Sequence, residues 1–308
     1  MDRRRTLDIG NKGVVALPQV AELAGQTGLH LDRNELTALP EDIGELIQLK
    51  YLSLYHNQLE SLPESLCNLA NLQTLNVSEN RLTRLPESIG DLRALRMLDA
   101  GHNRIQALPD SVGRLSRLEF LYLSNNQLGM VPESLAGLKH LVYLNVTDNG
   151  LEVFPEVIAA LGGLVELRLY NNRLAAIPGS IGQLAQLREL HLMNNRLTAL
   201  PATVGKLKSL RKLDLQDNCL ESLPDSLAGL VDLTDLVLRN NALASLPASI
   251  ARLKHLRFLD LRANRLTALP SGLGDLPRLE KLDLRWNRLT RAPAWLRDLR
   301  QRGCVVYL

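Results

Sequence analysis

The sequence predicts an α/β solenoid, a horseshoe of short coils with a parallel β-sheet on its concave face and short helical or 3-10 turns on its convex face. Three observations carry that prediction. The hexad Leu213-Asp214-Leu215-Gln216-Asp217-Asn218 has the form L-x-L-x-x-N and recurs without a break. Its closing residue stands at Asn34, Asn57, Asn80, Asn103, Asn126, Asn149, Asn172, Asn195, Asn218, Asn241, Asn264 and Asn287, always 23 residues apart. Within each period the leucines pass from alternation to a spacing of three, as a strand followed by a tight helical turn requires. A fixed period of this length marks one supersecondary unit stacked many times.

The period beginning at Leu29 justifies each element in turn. Leu29 and Leu31 alternate with His30 and Asp32, which gives a short strand with one apolar and one wet face. Asn34 follows at the bend. Its carboxamide carries donors and an acceptor for backbone groups that a buried turn would otherwise orphan. Repeated in every coil, these side chains are expected to form a ladder. Leu36 and Leu39 turn inward. Pro40 is expected at the first position of a helical turn, where its missing N–H costs nothing. Acids follow several prolines of this column, as at Glu41, Glu64, Glu87 and Asp110, and favour a helix N-terminus. Ile43, Leu46 and Leu49 then present one apolar edge. One coil alone cannot bury so many leucines; stacked coils share a core. Helical turns are bulkier than strands about 4.8 Å apart, so the stack is expected to bend with its strands inside.

These residues carry a resemblance. The consensus L-x-x-L-x-x-L-x-L-x-x-N-x-L-x-x-L-P-x-x-I-G resembles that of leucine-rich repeat proteins. The 23-residue form with Leu-Pro and Ile-Gly is similar to the cytosolic Ras-associated group, which includes plant intracellular and bacterial members. The resemblance implies a binding module. Its partners in that group are small GTPases, phosphatases and signalling enzymes.

Residues 1–27 read as a degenerate N-terminal capping repeat. They comprise a basic lead over residues 1–5, a strand at Leu7-Asp8-Ile9 and a ladder position at Lys12. One residue is missing near Pro18, so the next interval is 22. Residues 28–290 are twelve regular units. The column after Ile holds only small residues, such as Gly44, Cys67, Gly113 and Ala136, which implies close packing and makes Cys67 a core residue. Residues 291–308 read as a C-terminal cap, a polar helix and a final edge strand, because an open end would expose core and strand edge. Trp295 and Tyr307 are expected to pack within it.

Composition excludes several classes. Net charge is +3 with acids and bases mixed throughout, so no basic stripe for nucleic acid or a membrane surface is expected. No apolar run reaches the length of a membrane span. Met1-Asp2-Arg3-Arg4-Arg5-Thr6 has no apolar signal region. Cys67, Cys219 and Cys304 are odd in number and far apart, which favours a reducing, cytoplasmic setting. Cys219 occupies a position that is polar in other repeats. No cofactor or metal set is expected, and the chain reads as a monomer.

Function is expected on strand residues that face away from the core, those six, four, two and one before each ladder Asn. Eight of the chain's aromatics fall there: Tyr51, Tyr55, Phe120, Tyr122, Tyr143, Tyr170, Phe258 and Trp286. One column runs Tyr51, Thr74, Met97, Phe120, Tyr143. With Tyr55, His56, Tyr122, Tyr170 and His191 it makes an aromatic patch for a protein or peptide partner. The same rings also suit strands on propensity alone. A second, polar patch holds Arg239, Phe258, Arg262, Arg285 and Trp286, with Asp260 and Asp283 nearby. Two readings stay open there, a lattice of ion pairs or a site for an acidic group. An enzyme is not expected. No phosphate loop, zinc-spaced set or nucleophile elbow occurs, and histidines such as His191 and His102 on an open sheet are expected to stay wet with ordinary acidity. The alternative to a scaffold is a substrate-recognition or inhibitory subunit that acts with a separate enzyme.

Overall fold

The computed structural model describes residues 5–308; the first four residues of the basic lead lie outside them. Met1–Gly150 and Leu151–Leu308 form two compact units. The first contains β1 (Thr6–Asp8), β2 (Gly28–His30), β3 (Tyr51–Ser53), β4 (Thr74–Asn76), β5 (Met97–Asp99), β6 (Phe120–Tyr122) and β7 (Tyr143–Asn145). Each pairs in parallel with its sequence neighbour. The second contains β8 (Glu166–Arg168), β9 (Glu189–His191), β10 (Lys212–Asp214), β11 (Asp235–Val237), β12 (Phe258–Asp260), β13 (Lys281–Asp283) and β14 (Val305–Tyr307), paired in the same way. Registers follow the repeat: Leu52 opposes Leu75, and Leu213 opposes Leu236. Leu7 opposes Leu29 across the one short interval.

Between strands the chain makes short 3-10 turns, such as Glu41–Glu45 and Asp225–Gly229, and an α-helix, α1 (Trp295–Gln301), precedes β14. The prolines lie one residue earlier than the sequence suggests. Pro40 has φ −71° and ψ 151°, outside the turn, and its carbonyl accepts from the Ile43 N–H at 3.1 Å. That extended ψ makes Glu41 the first turn residue, so the proline stiffens the approach rather than the turn itself.

The core is a column of aliphatic side chains. In one coil Leu213, Leu215, Leu220, Leu227, Leu230 and Leu233 are all fully buried. Each contributes about 2 kcal/mol of transfer free energy. The ladder amides hold coil to coil. Asn57 Nδ2 donates to the Leu31 carbonyl of the preceding coil at 2.9 Å and to the Leu54 carbonyl of its own at 3.0 Å, and its Oδ1 accepts from the Leu36 N–H at 3.1 Å. One side chain thus satisfies three buried backbone groups. The same pattern recurs at Asn80, Asn103, Asn195, Asn218 and Asn264. The small-residue column has an equally plain cause: a Cβ on Gly113 would lie 2.0 Å from the Ser134 carbonyl oxygen of the next coil. Cys67 is buried in this column.

The residue before each ladder position adopts a left-handed conformation in every repeat, with φ between 52° at Asn125 and 60° at Trp286. Most are Asn, Asp or His, the non-glycine residues that tolerate this region best. Arg33, Glu79, Ala263 and Trp286 adopt it without that advantage. The strand must turn sharply here to deliver the following amide inward, and the repeat enforces the conformation whatever residue stands there.

Candidate functional site

On the open face of the first unit, register brings the aromatic column together. Met97 stands between Thr74 and Phe120, and Phe120 opposes Tyr143. Tyr122 and Tyr143 make ring contact, with centroids 4.7 Å apart and planes tilted by 37°. Tyr51 lies 4.4 Å from the His30 ring. The patch is less exposed than the sequence implies: Tyr51, Tyr55, Met97, Phe120, Tyr122 and Tyr143 are all half-buried. Strands spaced by under 5 Å force neighbouring side chains to cover one another.

A polar group borders this column. Tyr55 donates its hydroxyl to Glu79 Oε1 at 3.1 Å, and His56 Nδ1 lies 2.6 Å from Glu79 Oε2. The His56 hydrogen bond, aided by Tyr55 and opposed by slight burial, holds the Glu79 carboxyl below its ordinary value. Arg33 stacks over the Tyr55 ring at 5.7 Å. Burial pushes the Asp99 carboxyl up, although the Gly101 N–H donates to it at 3.0 Å.

In the second unit Tyr170 is half-buried, and His191 departs from expectation. It is not a wet surface residue; only 5% of it is accessible. Arg168 and Asp214 flank it in register on the adjacent strands. Burial lowers its pKa, against the raising effect of the Glu189 hydrogen bond 3.0 Å away. Burial likewise raises the Asp214 carboxyl. An open sheet therefore does perturb titration, because long neighbours on both sides exclude water from the middle of each strand. Glu166, Glu189 and His191 bring three ligating atoms within 4.8 Å of one another. The sequence reading missed this group. Its signal was there: an acid and a histidine two apart on one strand, and a second acid one repeat earlier.

At β11–β13 the arginines are compensated by acids. Asp283, almost wholly buried, receives Arg285 at 2.7 Å and Arg262 at 3.5 Å. Arg262 also makes a two-pronged contact with Asp260, its shortest distance 2.5 Å. Arg239 reaches Asp217 at 3.8 Å. Burial alone would raise the Asp283 carboxyl; the Arg285 hydrogen bonds and the two guanidinium charges outweigh it and hold it low. Arg285 also lies over the Trp286 ring at 5.4 Å and the Tyr307 ring at 4.8 Å. Tyr307 is therefore part of this open-face group rather than terminal packing, and it stays 41% exposed. Phe258 is half-buried under Arg257, 5.3 Å from its ring. Trp286 is 70% exposed.

Comparison with known proteins matches this geometry. The family model for a leucine-rich repeat region covers residues 5–107, and the leucine-rich repeat model covers 101–151, 185–243 and 232–289. A leucine-rich repeat protein of Leptospira interrogans is 32% identical, with 98% of this chain and 83% of that one covered and a TM-score of 0.91. An internalin of Listeria monocytogenes shares the fold at 21% identity and a TM-score of 0.86, over 98% of this chain and 86% of that one. The ectodomain of the Arabidopsis receptor kinase HAESA, solved in complex with an IDA peptide hormone, is 28% identical with a TM-score of 0.73; 92% of this chain aligns with 50% of that one. No curated protein matches the sequence. The fourteen short parallel strands among the described residues, the amide ladder and these matches agree: the chain belongs to the leucine-rich repeat proteins.

Proposed function

We propose that this chain is a non-enzymatic recognition module that holds a protein or peptide partner against the open face of its strands. The observation that carries the reading is the Tyr122–Tyr143 contact, flanked in register by Phe120 and Met97. Large, rigid, amphipathic rings on a fixed sheet give contact area at low entropic cost, which is how binding hot spots are built. Peptide binding by the HAESA ectodomain supports a peptide-sized partner. The 23-residue Leu-Pro and Ile-Gly repeat supports membership in the cytosolic Ras-associated group, and with it a signalling partner. The three free cysteines fit a reducing cytoplasm. A monomer is the proposed working form.

The test is affinity capture from native lysate, followed by measurement of each captured partner against three forms: wild type, the double variant Tyr122→Ala/Tyr143→Ala, and Glu156→Ala, whose exposed carboxylate begins a 3-10 turn. The reading expects the double variant to lose at least about 2 kcal/mol of affinity and Glu156→Ala to bind as wild type. Equal loss in both variants would remove the aromatic column from the site.

A further inference from the structure

Glu166 on β8 and Glu189 on β9 oppose each other directly in the parallel register, and His191 follows Glu189 two residues on, on the same face. Two carboxylates one strand spacing apart repel unless a cation lies between or beside them. Arg168 holds one oxygen of Glu166 through its Nε at 2.5 Å. Lys212 stands opposite Glu189 on β10. Glu189 itself turns to the His191 ring, with Oε2 3.0 Å from Nε2. The histidine side chain is only 6% accessible, so its neighbours fix the ring and the direction in which Nε2 points.

We propose that Glu166, Glu189 and His191 form a binding site for a divalent transition-metal ion of the zinc class. One imidazole nitrogen and two carboxylate oxygens are the donor set such an ion accepts, with a fourth position left for water or another ligand. Magnesium and calcium fit less well, since they take six or more oxygen ligands. The three ligating atoms lie within 4.8 Å of one another. A tetrahedral ion with bonds of about 2.1 Å needs its donors about 3.4 Å apart, and rotation about the glutamate side-chain bonds closes that difference. His191 stays fixed while the two acids move, so the ring is the anchor of the site. Arg168 then acts as an outer partner: it orients Glu166 through Oε1 and leaves Oε2 for the ion. The site stands whether or not a protein partner uses the open face of the strands.

The experiment is calorimetric titration of the metal-stripped full chain with zinc chloride, with magnesium chloride as a competitor. The expected result is one saturable equivalent of zinc that magnesium does not displace. Glu166→Gln, Glu189→Gln and His191→Ala should each weaken it by at least about tenfold. The control is the double variant His56→Ala/Glu79→Gln, which removes a different His–Glu pair and should leave the affinity unchanged. Should His191→Ala fail to fold, the two glutamine variants decide the matter, since they keep side-chain size and only remove charge. Absence of saturable zinc binding, binding unchanged in the glutamine variants, or binding lost in the control would each overturn the site.

Discussion

The side-chain amide of Asn218 donates to the Leu192 carbonyl, 26 residues earlier in the chain, at 3.0 Å. The same nitrogen serves the Leu215 carbonyl at 3.0 Å, and Oδ1 receives the Leu197 N–H at 3.1 Å. Asn218→Ala would leave the buried Leu197 N–H unpaired, while the Leu192 and Leu215 carbonyls would each keep only one ladder amide, that of Asn195 and Asn241. An unpaired buried donor costs more than the bond is worth when made, and with two further amide bonds lost the variant should lose roughly 3 kcal/mol of unfolding free energy. Urea denaturation measures it; a loss below about 1 kcal/mol would mean that water replaces the amide.

Ala263 has φ 52°, where a β-carbon is crowded by the neighbouring carbonyl. Most other repeats place Asn, Asp or His there. Ala263→Asn should therefore raise stability by about 0.5–1 kcal/mol, and Ala263→Val should lower it by about 1–2 kcal/mol. Guanidinium denaturation of the pair reads the difference, and matching midpoints for the two variants would contradict it.

Asp99 and His191 move stability with pH in opposite senses. Burial raises the Asp99 carboxyl above its ordinary 3.8. Between 3.8 and the folded value the folded chain keeps a proton that the unfolded chain has released, so this contribution falls as pH rises through that window. Asp99→Asn should therefore stabilise the chain at pH 7 and lose that advantage near pH 3.5. Asn76 and Asn145 occupy the same column, and each accepts from the backbone N–H two residues on. Burial lowers His191 from 6.5 instead. Here the unfolded chain takes up the proton first, so stability is lost as pH falls below 6.5 toward the folded value. Thermal melts of wild type and Asp99→Asn across pH 3.5–7 separate the two effects.

Burial pushes the Cys67 thiol up to about 11, and Cys304 is raised for the same reason. Cys219 is exposed. A disulfide-exchange reagent at pH 8 should react at once with Cys219 alone, and with the other two only after denaturant is added. Rapid reaction of Cys67 would show that the coil around Gly44 and Gly90 opens readily, since it packs within their column.

The sequence alone determined the repeat, the strand positions, the amide column and the buried leucines. Each of these is set by a period of 23, and a period is visible without coordinates. Its reading of the small-residue column was also physical, and Gly113 meets the Ser134 carbonyl where that reading expects close packing. Pro40 lay one residue off, because the spacing of prolines does not report ψ. The left-handed column was legible in its Asn, Asp and His content, yet Arg33, Glu79 and Trp286 conceal it. What only tertiary structure decided lies across the strands. The burial of His191, the reach of Arg262 to Asp283, and the meeting of Glu166 with Glu189 all depend on side chains about one repeat apart. Periodicity says which residues become neighbours. How far each long side chain covers the next, and so which of them stays wet or keeps its charge, is settled only when the neighbours share one crowded face.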